Sequence, residues 1–293
     1  MSLRNFLCAI ALVLLAFQPL NANASTPTYD AIYVFGDSYC DVGNIFFLTK
    51  GADPISPPYY NGRFSNGPIW VEHVASSMGL PMKAALLGGT DYAFGGAHVT
   101  GPVPTAAGDI PSVPQQVGLY LSQHNGKADP NALYILEGGG NDIIDATGES
   151  PQQVGFQIAL GLSESELLLR RAGAKNFLIP DLLDVSLLPV AQPKAAFARQ
   201  ATLATNKSLN ELLFVEQLLQ GIRIRRLNVF SLFQSVVADA THFGFTDITT
   251  PCINPVTDTI CADPDHTLFW DVYHPTVFGH AFFAVITEAN LSQ

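Results

Sequence analysis

Four short runs constrain what this chain can fold into. "AIYVFG" (31–36), "ALYILEGG" (132–139), "KNFLIPD" (175–181) and "IRRLNVF" (224–230) each read as a buried strand, because a strand covered on both faces shows a near-continuous apolar run rather than alternation. Helical patterns separate them: Pro68 to Met78, Val113 to Ser122, Pro151 to Ala172, and about Pro193 to Gln220, with "HPTVFGHAFFAVITEANL" as a closing helix. Strands that alternate with helices pair side by side in parallel. The expectation is an α/β fold, a three-layer α/β/α sandwich with a mainly parallel central sheet. Residues 97–114 and 240–268, rich in Gly, Pro, Thr and Asp, read as irregular loops. With no repeat, linker or low-complexity segment, residues 25–293 are expected to form a single domain.

Residues 1–24 stand apart. Arg4 precedes an unbroken apolar run of 12 residues, Phe6 to Phe17, and Ala22-Asn23-Ala24 offers small residues for cleavage. That is the pattern of a secretory signal peptide, and the run falls short of the roughly 20 apolar residues that cross a bilayer. Cys8 lies inside the run, too far from the cleavage point to carry a lipid. The remaining chain is expected to be exported, periplasmic or secreted. Its formal charge is −11, and losing Arg4 with the leader makes it −12, since positions 1–24 hold no Asp or Glu. An acidic surface repels phosphate backbones, so no nucleic-acid partner is expected. Oligomeric state is not legible. Export also places Cys252 and Cys261, which bracket "INPVTDTI", in an oxidising compartment, and they are expected to be bonded. Cys40 is then the odd one out.

Open α/β sheets bind ligands beyond the carboxyl ends of their strands. Four places there carry chemistry: Ser38 after the first run, Gly95-Gly96 after "DYAF", Gly139-Gly140-Asn141-Asp142 after "LYILEG", and Asp271-Val272-Tyr273-His274-Pro275 before the last helix. Each alone has a plain explanation. Asp and Ser cap helices, a Gly pair marks a turn, and an Asp near a His is usually surface. Their joint, ordered occurrence is hard to produce by accident.

Together the blocks "FGDSYCDVGN", "DYAFGGA", "GGND" and "FWDVYHP" resemble the SGNH, or GDSL-type, serine esterases and lipases. The resemblance runs from about Asp30 to Ala284, with Tyr39 where the family name has leucine and Asp91 where asparagine is commoner. Asp41, Gly43 and Asn44, with "GRFSNGPIWVE" (62–72), resemble the larger lipase-like branch. The resemblance implies a nucleophile at Ser38, a base at His274 and an orienting carboxylate at Asp271. It also implies oxyanion donors from the Ser38 backbone, a glycine of the second block and the Asn141 amide. Gly96 is preferred to Gly95, because the family glycine falls five positions after the residue that opens the block. The chemistry is sound without the name: a hydroxyl is a poor nucleophile until a positioned base takes its proton, and Asp271 can fold back within one turn to orient His274. Ser38 is expected to enter a helix and gain its positive dipole.

Other candidates read as structural. Asp37 and Asp142 are expected to hold loop backbone, Asp37 across to the third block, and Asp41 to satisfy a helix terminus. His73 is expected at the surface, His98, His242 and His266 in rim loops, and His280 in the closing helix. Cys40 is a rival nucleophile but is expected to be a buried filler. No metal motif and no phosphate-binding loop are present, so no cofactor or metal is expected. The expected activity is hydrolysis of carboxylic esters of lipid-like molecules, lysophospholipids or short to medium acyl esters, through an acyl-Ser38 intermediate. Phe46, Phe47, Tyr59, Tyr60, Phe94 and Phe269 are candidates to line an acyl trough, with core membership as the stronger reading. A disulfide-closed loop ahead of Asp271 resembles bacterial glycerophospholipid acyltransferases of the family, so transfer to an alcohol and transient contact with a membrane surface stay open. An acetyl-polysaccharide esterase and a non-catalytic binding protein on the same fold are the alternatives.

Overall fold

Strands β1 (Ile32–Phe35), β2 (Leu133–Leu136), β3 (Asn176–Pro180) and β4 (Arg223–Leu227) pair in chain order as a parallel sheet. The computed structural model describes residues 28–216, 218, 221–254, 257 and 259–293, so the expected leader lies outside the described residues. β2 is buried at every position, which explains its uninterrupted apolar run. Register sets Tyr33 beside Tyr134 and Tyr134 beside Phe177, and their rings stand 5.6 and 5.9 Å apart across the sheet. On the far side of β1 a single parallel bridge joins Val34 to Asp91, with Tyr92 donating its N–H to Val34 at 2.7 Å. The "DYAF" segment therefore lies along the sheet edge, and its glycines emerge beside the end of β1.

The helices in chain order are α1 (Asn44–Leu48), α2 (Trp70–Ser77), α3 (Val113–Gln123), α4 (Gly140–Asp145), α5 (Pro151–Arg171), α6 (Ala195–Glu216), α7 (Val229–Ala238) and α8 (Val277–Leu291). Packing divides the main ones into two layers: α5 packs on both α3 and α6, with α3 over β1 and α5 over β2, while α2 packs on α8, which covers β4. This is the expected three-layer architecture. Helix starts follow local chemistry. At α5, Pro151 occupies the first turn, and Ser150 and Gln153 cap each other's backbone N–H at 3.3 and 3.0 Å. The expected run 224–230 is corrected in the same terms. Asn228 accepts the Ser231 N–H at 2.9 Å and starts α7, so Val229 and Phe230 belong to a helix and the strand ends at Leu227. The end expected for α6 near Gln220 falls partly outside the described residues.

Candidate active site

Gly36 follows β1 where the strand end meets α3 and the residue after β2. Gln116 of α3 holds both its backbone groups, at 2.8 and 2.9 Å, and a Cβ there would stand 3.0 Å from Glu137 Oε2. A side chain at 36 would crowd Glu137, whose backbone oxygen also stands 3.1 Å from that Cβ. The next five residues make one tight turn: Cys40 and Asp41 both donate N–H to the Asp37 carbonyl at 3.0 Å, and Tyr39 donates to Asp37 Oδ1 at 3.0 Å. The helix expected behind Ser38 does not start here. Asp41 interrupts it by taking the N–H groups of Gly43, Asn44 and Ile45 at 2.7, 2.5 and 3.1 Å, so α1 begins at Asn44. Ser38 sits on the exposed side of that turn, largely covered, and its backbone N–H has no partner among the described residues.

The fourth block folds back on itself. Asp271 Oδ1 accepts the Tyr273 and His274 N–H groups at 2.7 and 2.8 Å. Its Oδ2 takes His274 Nδ1 at 2.7 Å and the Tyr59 hydroxyl at 2.8 Å. With Nδ1 donating, His274 Nε2 is the acceptor for the Ser38 hydroxyl, 2.7 Å away. Burial alone would raise the Asp271 carboxyl, but the His274 charge and these hydrogen bonds outweigh it and hold the group below its usual range. The imidazole is walled by rings, Phe64 at 5.1 Å and Tyr39 at 5.9 Å between centroids, and the Tyr39 hydroxyl donates to the Tyr273 carbonyl at 2.8 Å. The "RFSNG" segment seats the His274 turn: Ser65 donates to the Pro275 carbonyl at 2.9 Å, and Asn66 Oδ1 accepts the Val277 N–H at 2.7 Å.

The second and third blocks bring donors to Ser38. Asp41 Oδ2 accepts the Gly95 N–H at 2.8 Å, and a Cβ on Gly95 would overlap Phe64 Cε2 at 2.3 Å. Gly95 is thus occupied by packing and by a hydrogen bond. Gly96, at φ +76°, has a backbone N–H with no partner among the described residues. Asn141 Nδ2 donates to the Ala97 carbonyl at 3.0 Å and reaches Asp37 Oδ2 at 3.4 Å, a long contact. Asp142 accepts the Val99 and Thr100 N–H groups at 2.9 and 3.0 Å, fixing the loop that follows the glycines. Such a set can activate a hydroxyl and receive a developing oxyanion.

Residues expected elsewhere sort as follows. Cys40 is fully buried with a free thiol; burial, then the charges of Glu137, Asp37 and Asp91, push that thiol well above its ordinary range, which suits a filler and not a nucleophile. Cys252 and Cys261 are bonded to each other. His98 meets Asp145 at 2.9 Å and His266 meets Asp263 at 2.8 Å. His73 is half-buried and not at the surface, because α2 packs on α8. Phe94 and Phe269 are core residues, not trough residues. Tyr59 supports Asp271, a role that no local pattern signals.

His280 is buried against Tyr39 and Phe283, and neither ring nitrogen has a hydrogen-bond partner among the described residues. Burial, then the charges of His274 and His73, lower its pKa to about 3. A base depressed in the folded state supports stability above its unfolded value of 6.5, and that support is lost as pH falls toward 3. His280→Phe should therefore raise stability by about 1–2 kcal/mol by removing unsatisfied buried nitrogens. The gain in melting temperature should be larger near pH 5 than near pH 8. Equal or lower melting temperatures at both would mean that the ring nitrogens are satisfied.

Residues 32–285 match the family model described as GDSL-like Lipase/Acylhydrolase. Among curated proteins, the chain is 28% identical over 248 residues to a phosphatidylcholine-sterol acyltransferase of Aeromonas hydrophila, covering 84% of this chain and 71% of that one. It is 26% identical over 274 residues to a thermolabile hemolysin of Vibrio parahaemolyticus, 86% of this chain and 62% of that one. A GDSL esterase/lipase of Arabidopsis thaliana is 26% identical over 318 residues, 87% of this chain and 84% of that one. A solved structure of a lipolytic G-D-S-L family member from Veillonella parvula superposes with TM-score 0.48 at 16% identity, over 88% of this chain and 95% of the other. No helix among the described residues is long and apolar enough to cross a membrane. Matched from β1 into α8, the chain belongs to the GDSL-like lipase/acylhydrolase family of ester hydrolases.

Proposed function

We propose that this protein is an exported serine ester hydrolase that cleaves lipid-like esters through an acyl-Ser38 intermediate. The observation that carries the reading is the continuous chain from Ser38 Oγ to His274 Nε2 and from His274 Nδ1 to Asp271 Oδ2, each link 2.7 Å. Ser38 Oγ attacks the ester carbonyl as its proton passes to Nε2. The oxyanion is received by the N–H groups of Ser38 and Gly96 and by the Asn141 amide. His274 returns the proton to the leaving alcohol, and water, or a second alcohol, then attacks the acyl group in the same way. Asp271 keeps the Nδ1–H in place and stabilises the imidazolium.

Lipid-like substrates are favoured by the apolar rim on the segments that hold Asp271 and His274. The Ile55 carbonyl accepts the Tyr59 N–H at 3.2 Å, Tyr60 follows Tyr59, Ile260 adjoins Cys261, and Tyr273 adjoins His274. The side chains of Ile55, Tyr60, Ile260 and Tyr273 are exposed. These side chains suit transient contact with a lipid surface. The similarity to an acyltransferase keeps transfer to an alcohol within the proposal. The test is mass spectrometry of a phospholipid and lysophospholipid mixture after incubation with the protein and with Ser38→Ala, alongside fluorophosphonate labelling. Release of fatty acid or transfer of acyl chains by the intact protein alone, with label on Ser38, is expected. Activity confined to acetylated xylan or p-nitrophenyl acetate would replace the lipid reading with a carbohydrate esterase, and absence of label would indicate a binding protein.

The disulfide loop bears on acceptor choice. Cys252 and Ile253 donate N–H to the Phe269 and Trp270 carbonyls at 2.9 and 2.8 Å, so the loop is paired with the segment leading into Asp271. Misplacement of about 1 Å can cost on the order of 10² in rate. Cys252→Ser with Cys261→Ser should lower kcat about 3- to 10-fold, or change the ratio of hydrolysis to transfer, without loss of far-UV circular dichroism. An unchanged rate and product ratio would make the loop a bystander.

A further inference from the structure

Glu137 follows β2 directly behind the turn that carries Ser38, and no step above uses it. Its carboxyl faces the side chain and the backbone N–H of Asp37. Its Oε2 lies 3.6 Å from Cys40 Sγ and 3.0 Å from the place a Cβ on Gly36 would take. On its other side is a cavity of about 30 Å³ among Trp70, Leu183, Val229 and Phe283, with room for about one water. Two carboxylates cannot hydrogen-bond to each other, so one of the pair holds a proton. Asp37 has more donors aimed at it: Tyr39 N–H at 3.0 Å on Oδ1 and Asn141 Nδ2 at 3.4 Å on Oδ2. Asp37 also feels the His274 charge. The negative charge therefore belongs on Asp37 and the proton on Glu137.

The surrounding ionisable groups reinforce that choice. Asp142 lies beyond Asp37, Tyr39 and Cys40 sit on the same turn, Asp91 lies beyond Cys40, and Asp181 lines the cavity. These are acids, Asp181 being paired with Arg226; His274 is the base whose charge acts on Asp37, and His280, packed on Tyr39 and Phe283, lies beyond that ring. Burial, then the Asp37 charge, push the Glu137 carboxyl well above its usual range.

We propose that Glu137 is a positioning residue for the hydrolysis assigned to Ser38, a reading on which this one rests. As a neutral hydrogen-bonded acid it holds Asp37, so that the pair carries one negative charge and the Asn141 amide keeps an N–H for the oxyanion. The oxyanion forms one residue from Asp37, where a second negative charge would oppose it in a medium that screens poorly. With Asp37 satisfied by Glu137, its long contact to Asn141 Nδ2 is readily exchanged for the substrate oxygen. The proton stays on Glu137 throughout the reaction.

The test compares Glu137→Ala with Glu137→Gln. Alanine should lower kcat about 10- to 100-fold with KM within about twofold. Glutamine, whose amide still donates to Asp37, should restore most of that turnover. It should also remove an alkaline loss of activity that the wild-type protein shows as the raised Glu137 carboxyl gives up its proton. Glutamine no better than alanine would mean that a negative charge is needed at 137 and would overturn the proposal, as would full turnover in the alanine variant. Should alanine prevent folding, carbon-13 NMR of the glutamate carboxyls in Ser38→Ala protein decides. The Glu137 resonance, assigned by its loss in the glutamine variant, must be that of a neutral acid through neutral pH, and a carboxylate there overturns the proposal. The spectrum needs no turnover, so it separates failure of this inference from failure of the Ser38 assignment, which Ser38→Ala kinetics reports.

Discussion

Ser38→Ala is expected to lower kcat for ester hydrolysis by on the order of 10⁴–10⁶ while the melting temperature stays nearly constant. The side chain is small, sits at the end of the sheet, and has His274 Nε2 as its hydrogen-bond partner. Removing its oxygen takes away the group proposed to form the acyl bond and leaves the turn held by Asp37, whose carbonyl and carboxylate order the backbone. Cys40→Ala is the control two positions on. Its thiol is enclosed and disfavours ionisation, so the substitution should keep most activity at a stability cost of about 1 kcal/mol for the lost packing. Steady-state kinetics on a p-nitrophenyl ester, with mass spectrometry of the fluorophosphonate adduct, checks both. Activity that survives at Ser38→Ala and vanishes at Cys40→Ala would overturn the nucleophile assignment.

Much of the frame is legible in the chain because its causes are local. The β2 run is apolar throughout because the strand is covered on both faces, and Asp271 reaches His274 across three residues. What escapes the sequence is set at long range. Tyr59 meets Asp271 across 212 positions, and Phe64 reaches the imidazole from the 62–72 segment, which the sequence marks only by its resemblance to the lipase-like branch. The preference for Gly96 rests on spacing, whereas what sets the two glycines apart is that Asp41, 54 positions away, engages the Gly95 N–H while that of Gly96 has no partner among the described residues. Local signals can also mislead. A serine after a strand suggests a helix start, but Asp41 takes three N–H groups and delays the helix to Asn44. "LNVF" continues an apolar strand pattern until Asn228 caps a helix inside it. Glu137 lies unmarked within the "ALYILEGG" run, and only the fold turns its carboxyl toward Asp37.

Asp271→Asn should lower kcat by on the order of 10³–10⁴ with little change in KM. The carboxylate is used as an acceptor on both oxygens: Oδ1 takes the Tyr273 and His274 N–H groups, and Oδ2 takes the Tyr59 hydroxyl and the Nδ1–H. An amide has one acceptor end. If its oxygen stays with the two backbone N–H groups, its NH₂ faces Tyr59 and Nδ1, and the imidazole moves its proton to Nε2. It then donates to Ser38 instead of accepting from it, and the base is lost. If the amide flips, the NH₂ meets two backbone donors and the turn between Asp271 and His274 opens. Neither orientation keeps both the turn and the tautomer. The carboxyl is held below its usual range, so in the wild-type protein it stays ionised over the acid range, and its contribution to stability is lost only as pH falls through that lowered value. The asparagine variant should therefore show reduced kcat at every pH with a changed profile shape, and near-normal circular dichroism at neutral pH. A kcat within about tenfold of wild type, with an unchanged pH profile, would mean that another group orients His274.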